Sequence, residues 1–205
     1  MRTGKGVQLT IIALTLGLGS WLSVGSASVA SQRVDTEAAV AEARKISAEL
    51  TDQVRGLLVE ELGKGGYDGA VKVCAEVAQD IPRQFTKRTG HYLRRVSLGY
   101  RNRNDIPDQY ERKKLKFFES QNREKKLAAD DYEVVKEKGQ SYLRYMKPLV
   151  ASAMCVKCHG PKAEIAEPVR KILQEKYPQD RAFGYQAGDV RGAISVKIKL
   201  DAIQK

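Results

Sequence analysis

The feature that most constrains this chain is a C-x-x-C-H motif that runs from Cys155 to His159. Two thiols three positions apart, followed at once by an imidazole, form the attachment signature of a covalently bound c-type haem. The thiols of Cys155 and Cys158 can add to the two vinyl groups of one porphyrin, and the imidazole of His159 can bind the iron from the proximal side. The motif therefore predicts a fold that encloses one covalent haem c.

The same residues could also belong to a zinc site or to a redox-active dithiol. A zinc site needs three or four ligands at suitable spacing, and the chain has no second pair like Cys155 and Cys158. A thioredoxin-like dithiol is typical of a helix N-terminus near a βαβ pattern, whereas this pair comes late with no such pattern around it. Haem attachment is the favoured interpretation.

The N-terminus has the pattern of a secretory signal peptide. Arg2 and Lys5 form a basic start, residues 7–24 are apolar or small, and Ser28-Val29-Ala30 fits a cleavage site. We predict a signal peptide over residues 1–30 and one domain over residues 31–205. The alternative is an uncleaved anchor, in which case the leader alone contacts the membrane. Because bacteria attach haem to such motifs outside the cytoplasm, the periplasm or the thylakoid lumen is the expected location.

The chain is basic, with 36 Lys and Arg against 25 Asp and Glu and a formal net charge of +11. Such a surface suits an acidic redox partner protein or an anionic membrane surface. A solvated basic surface without a dedicated partner explains the charge equally well. An exported protein does not meet nucleic acid, so we expect no nucleic-acid partner.

Hydrophobic periodicity predicts helices first and strands later in the chain. The predicted helices cover residues 35–62, 69–87, 108–122 and 164–176. The predicted strands cover residues 93–100, 132–136, 140–146 and 192–200, and residues 178–188 form a loop. Gly63 to Gly66 should end the first helix, and Pro82 should end or kink the second. This order predicts an α+β domain with a long N-terminal helix.

An ordered set of segments makes the chain resemble a family of exported monohaem cytochromes with a PAS-like fold, known from cyanobacteria and from bacterial sensory modules. The matching segments are 70–74, 96–102 with 105–107, the motif at 155–159, and 188–196. The resemblance implies a central antiparallel sheet flanked by helices. It also implies an unusual axial ligand on the distal side of the iron, a cysteine sulfur, which maps to Cys74.

The residues themselves leave this distal position open. Cys74 falls on an apolar helical stripe, and on that pattern alone an ordinary buried thiol is the better interpretation. The other candidates are Met146, Met154 and His91, or a vacant or water-filled position. Met154 directly precedes the proximal motif, and His91 falls in a predicted loop. The family resemblance is what favours Cys74.

These observations predict a six-coordinate, low-potential haem that acts in electron transfer or redox sensing with an unidentified redox partner. The alternative is a gas sensor in which CO, NO or oxygen displaces Cys74. No enzyme activity is expected, because His91 alone would be left for acid–base work at an open iron. Arg101, Arg103 and Arg191 are candidates to pair with the haem propionates, since a guanidinium matches a carboxylate.

Overall fold

The computed structural model describes residue 1 and residues 24–77 and 80–200, without the side chains of residues 24–34 and of Cys74. Most of the predicted signal peptide therefore lies outside the described residues. Among those that are described, no helix is both long enough and apolar enough to cross a bilayer.

The described residues form five helices and one four-stranded sheet. The helices are α1 (Val24–Glu76), α2 (Ile81–Thr89), α3 (Gln109–Arg123), α4 (Ala153–His159) and α5 (Glu167–Lys176). The strands are β1 (Tyr92–Val96), β2 (Asp131–Glu137), β3 (Gln140–Val150) and β4 (Val190–Lys199). The predicted α+β, PAS-like class, with its central antiparallel sheet and long N-terminal helix, is confirmed.

The sheet is antiparallel throughout, in the order β1-β4-β3-β2. Lys138 and Gly139 join β2 to β3 with φ values of 50° and 83°. Positive φ at both central residues is the requirement of a two-residue type I′ hairpin turn, and Gly meets it without steric cost. The last strand, β4, lies between β1 and β3, so the C-terminal strand is in the interior of the sheet and the first strand, β1, is at its edge.

Helix α1 follows the predicted apolar stripe but does not stop at the glycines. It breaks at Gly66, which has φ 65° and ψ −162°, and then continues to Glu76. Only glycine adopts such a backbone conformation readily. The break gives α1 a long first part and a short second part, residues 67–76, that runs in a new direction.

Two element predictions need correction. The predicted helix 69–87 is two helices, because α1 ends at Glu76 and α2 begins at Ile81 with Pro82 in its first turn. Proline lacks an N–H and suits that position, so Pro82 starts a helix instead of ending one. The predicted strand 93–100 ends at Val96, since the backbone N–H of Ser97 turns to the carbonyl of Asp105 at 3.0 Å.

The two faces of the sheet pack against different helices. One face meets α1 and α2 in a core that includes Leu93, Leu143, Tyr145, Ile194 and Val196. The other face meets α3 in a second core that includes Val96, Leu115, Phe118, Met146 and Ala193. Helix α3 is held at its start by a capping box between Asp108 and Glu111. The second part of α1 packs with α5, in a third cluster around Val71, Val169 and Leu173.

Candidate haem site

A cavity of about 480 Å³ lies between the two parts of α1, the adjacent sheet face and α4. Its apolar walls come mainly from Leu50, Val54, Leu149 and Ile194. All three residues of the motif that carry chemistry line it, namely Cys155, Cys158 and His159. A volume of this size is within the range of cofactor pockets, roughly 300–1,000 Å³.

The motif lies in α4, a short helix that follows β3 and lines the cavity. Residues at i and i+3 lie side by side on a helix, so Cys155 and Cys158 share a face. Neither cysteine is part of a disulfide, and both are half-buried. The hydroxyl of Ser152 lies 3.3 Å from the sulfur of Cys155. Two neighbouring thiols on one cavity wall are the arrangement that two thioether bonds to one porphyrin require.

The imidazole of His159 is oriented by the loop that precedes β4. Its Nδ1 lies 3.0 Å from the carbonyl oxygen of Ala182 and 3.2 Å from Nε of Arg191. A carbonyl only accepts and a guanidinium only donates, so Nδ1 cannot serve both at once. We therefore place a proton on Nδ1, which donates it to the carbonyl oxygen of Ala182, because the guanidinium of Arg191 also donates to Ser97 and Gly99. Nε2 then keeps its lone pair, as a metal ligand must.

The electrostatics of the cavity keep this imidazole neutral. Burial, followed by the positive charges of Arg191 and Arg101, lowers the pKa of His159 well below its usual value. A neutral imidazole is the protonation state that binds a metal.

Arg101 and Asp180 fasten α4 to the same loop. Nε of Arg101 donates to Asp180 at 2.8 Å, and its Nη2 donates to the carbonyl of Cys158 at 2.6 Å. The other oxygen of Asp180 accepts the N–H of Ala182 at 2.8 Å. Both side chains of the ion pair are largely buried, with 12% and 4% exposure. One connected set of contacts therefore positions Cys158, Ala182 and, through Ala182, His159.

The structure separates the other ligand candidates. Met146 is fully buried in the core on the α3 side of the sheet, across the sheet from the cavity. His91 lies before β1 and outside the cavity lining. Met154 does line the cavity. Of the alternatives to Cys74 named from the sequence, Met154 is thus the one side chain that the described residues place at the cavity.

Cys74 belongs to the second part of α1, and its side chain is outside the described part of the structure. Its helical neighbours Tyr67, Ala70, Val71 and Ala75 all line the cavity. The segment that carries Cys74 therefore forms one wall of the cavity. Cys155, Cys158 and His159 lie on another wall.

The alternatives to haem fit less well. Among the described residues, no group of three or more His, Cys, Asp or Glu side chains could hold a metal ion, as a zinc site would need. Cys155 does lie in the first turn of α4, as a thioredoxin-like dithiol would. The sheet is antiparallel, however, so the βαβ unit that accompanies such dithiols does not precede it.

Sequence reasoning missed Arg95 and Asp105, which also line the cavity. Arg95 lies on β1 two residues after the buried Leu93 and faces the same side of the sheet. Because the sequence predicted that this strand continues to residue 100, the pattern emphasised Val96 and every second residue after it, and not Arg95. Arg103, a predicted partner of the propionates, is exposed and lies outside the lining.

Comparison with known proteins gives one family and one solved structure. The chain matches the profile of the Tll0287-like family over residues 29–199. The crystal structure of the cyanobacterial heme protein Tll0287 matches with a TM-score of 0.58 and 25% sequence identity. The match covers 77% of this chain and 95% of that chain. A comparison with curated proteins finds no match.

Proposed function

Because the chain belongs to the Tll0287-like family, we propose that it is an exported c-type monohaem protein that serves in electron transfer or redox sensing. The observation that carries this proposal is the placement of Cys155, Cys158 and His159 along one largely apolar cavity. The two thiols would bind the porphyrin covalently, and His159 would be the proximal ligand to the iron. The similarity to a heme protein of known structure supports the same cofactor.

When bound, the haem supplies an iron that takes up or gives away one electron. The chain's own residues would bind it, orient it and keep water from it. The carbonyl of Ala182 fixes the His159 ring and leaves Nε2 free for the iron. Leu50, Leu149 and Ile194 line the cavity and would keep water from the haem. A site kept dry in this way would limit the reorganisation that accompanies a change of charge.

The second axial ligand in this proposal is the sulfur of Cys74. The neighbours of Cys74 on α1 line the cavity, which supports this position. A thiolate donates negative charge and favours the ferric iron, so the reduction potential would be low. Met154 is the competing ligand, and a thioether would give a higher potential.

The test of this ligand compares EPR and absorption spectra of the matured wild type with those of Cys74→Ala and Met154→Leu. A low-spin thiolate-type signal in the wild type, lost in Cys74→Ala and retained in Met154→Leu, is the expected result. If Met154→Leu loses the native spectrum and Cys74→Ala retains it, the ligand is the methionine and not the cysteine.

The break at Gly66 favours a second function, sensing of a diatomic gas. Glycine breaks allow a segment to change its direction at low cost. Movement of residues 67–76 would withdraw Cys74 from the iron and open a position for CO, NO or oxygen. Rapid binding of CO by the reduced protein, with a shift of the absorption spectrum, would support gas sensing. A reduced protein that does not bind CO would exclude it.

A basic surface supports an acidic redox partner. Helix α3 exposes several basic side chains, which are Arg112, Lys113, Lys116 and Arg123. Attraction to an acidic protein would weaken as salt screens these charges. We expect electron transfer with an acidic redox protein to slow as the ionic strength rises, while reduction by an uncharged small molecule stays constant. Equal salt dependence for both would contradict an acidic partner.

A further inference from the structure

Four charged residues from two regions of the chain meet on the sheet side of the cavity. They are Arg95 on β1, Arg101 and Asp105 after it, and Arg191 on β4. Buried charges are stable only when they are paired or hydrogen-bonded. The partners of each arginine therefore indicate which of them is available to a ligand.

Arg101 is already compensated. Its guanidinium is paired with the buried carboxylate of Asp180 and also donates to the carbonyl of Cys158. Because this charge is balanced within the protein, Arg101 is a weaker candidate for a propionate than an arginine without a carboxylate partner.

Arg191 is held in place but not compensated in the same way. Its Nη1 donates to the hydroxyl of Ser97 at 2.7 Å and to the carbonyl of Gly99 at 3.1 Å. Its guanidinium also lies 5.1 Å from the ring centre of Tyr185. These contacts are with neutral groups, while Asp105 and Asp180 attract the cation only through space. The contacts therefore fix the orientation of the guanidinium and leave N–H donors for an anion.

Arg95 is less satisfied still. Its Nε is buried and has no hydrogen-bond partner among the described residues. A buried donor without an acceptor destabilises the fold. The carboxyl of Asp105 is near enough for electrostatic attraction, but it accepts no hydrogen bond from this Nε. A ligand with its own carboxylates would give this donor an acceptor.

We propose that Arg95 and Arg191 bind the two propionates of the haem, an inference that depends on the haem function proposed above. A guanidinium presents parallel N–H donors that match a carboxylate. Haem carries its propionates on the edge opposite its vinyl groups. The cysteines that would bind the vinyl groups come from α4, whereas these two arginines come from β1 and β4.

The test uses full-length, matured protein with Arg95→Gln and the control Arg103→Gln, which removes the same charge from an exposed position outside the cavity. The mass of the denatured protein reports whether haem is attached covalently. Resonance Raman bands of propionate bending report hydrogen bonding to the carboxylates, and a redox titration reports the potential. The propionate band reports a direct contact, whereas the potential also responds to charge at a distance. The band therefore decides between contact with the haem and a purely structural role of Arg95.

With haem attached, Arg95→Gln should shift the propionate band and lower the reduction potential, because a nearby positive charge favours the reduced iron. Arg103→Gln should leave both unchanged. If the glutamine variant does not accumulate, Arg95→Lys is measured and should shift the band while it keeps the potential closer to wild type. An unchanged band in a haem-loaded Arg95 variant overturns the inference alone. A wild type without covalent haem overturns the proposed function and the inference together.

Discussion

Removal of Arg101 should strongly destabilise the fold, because it leaves the carboxylate of Asp180 buried without its cation. The Asp180 side chain is 4% exposed and the Arg101 side chain 12% exposed. Breaking such a pair by removing one partner costs about 3–5 kcal/mol. Arg101→Met keeps most of the apolar length of the side chain, so the loss would come mainly from the charge and its hydrogen bonds.

Urea unfolding of the matured protein measures this loss. With a denaturant dependence of about 1–3 kcal/mol per molar urea, the midpoint of Arg101→Met should fall by about 1 M or more. The matched control is Arg83→Met, because Arg83 forms an exposed pair with Asp80 at 67% and 56% exposure. Exposed pairs contribute about 1 kcal/mol or less.

A double-mutant cycle sharpens the test. Asp180→Asn alone leaves the Arg101 cation without its carboxylate, whereas Arg101→Met combined with Asp180→Asn removes both charges. The double variant should therefore lose clearly less stability than the sum of the single variants. Equal and small losses for Arg101→Met and Arg83→Met would refute the reasoning that burial makes this pair important.

Three further predictions concern one ion pair and two glycines. Arg44 lowers the pKa of Asp130 through hydrogen bonds. The ionised carboxylate therefore stabilises the fold fully above its unfolded-state pKa of about 3.9. This stabilisation is lost as the pH falls through the lower pKa of the folded state. Asp130→Asn should cost about 1 kcal/mol at neutral pH and less in acid; a cost independent of pH would contradict this. A Cβ at position 192 would lie 2.5 Å from the carbonyl oxygen of Val96, so Gly192→Ala should lose about 1–3 kcal/mol or more. Gly56 lies in a helix with open space around it, so Gly56→Ala should raise the free energy of unfolding by about 0.5–1 kcal/mol. Thermal unfolding that shows Gly192→Ala stabilised and Gly56→Ala destabilised would contradict both predictions.

Local signals made much of the fold predictable. Asp108 and Glu111 mark the start of α3, and the Lys138-Gly139 pair marks the hairpin between β2 and β3. The alternation over residues 192–200 identified the strand β4, although alternation predicts a half-buried strand and β4 is buried on both faces. In each case the signal is contained within a few residues, so no knowledge of the rest of the chain is needed.

Other features depend on contacts between distant segments. The position of β4 between β1 and β3 joins segments almost a hundred residues apart, and no local pattern encodes that pairing. The length of β1 likewise depends on the turn of Ser97 toward Asp105. Short runs of alternating residues do not contain this information, which is why the strand was predicted too long.

The candidate site divides in the same way. Cys155, Cys158 and His159 are adjacent in sequence, and the structure places them together at the cavity. The sequence alone did not identify Arg95, because the direction of its side chain depends on which face of the sheet packs against α1. Met146 stayed a ligand candidate in the sequence for the same reason, although it faces α3.

Mass spectrometry of the denatured, matured protein beside Cys155→Ala/Cys158→Ala tests the central claim most directly. The account predicts that the wild type retains the mass of one haem after denaturation and that proteolysis locates it on the peptide with Cys155 and Cys158. The double variant should retain none. A wild type whose mass equals that of the polypeptide alone, after maturation in a host that attaches haem to other c-type cytochromes, would contradict the account.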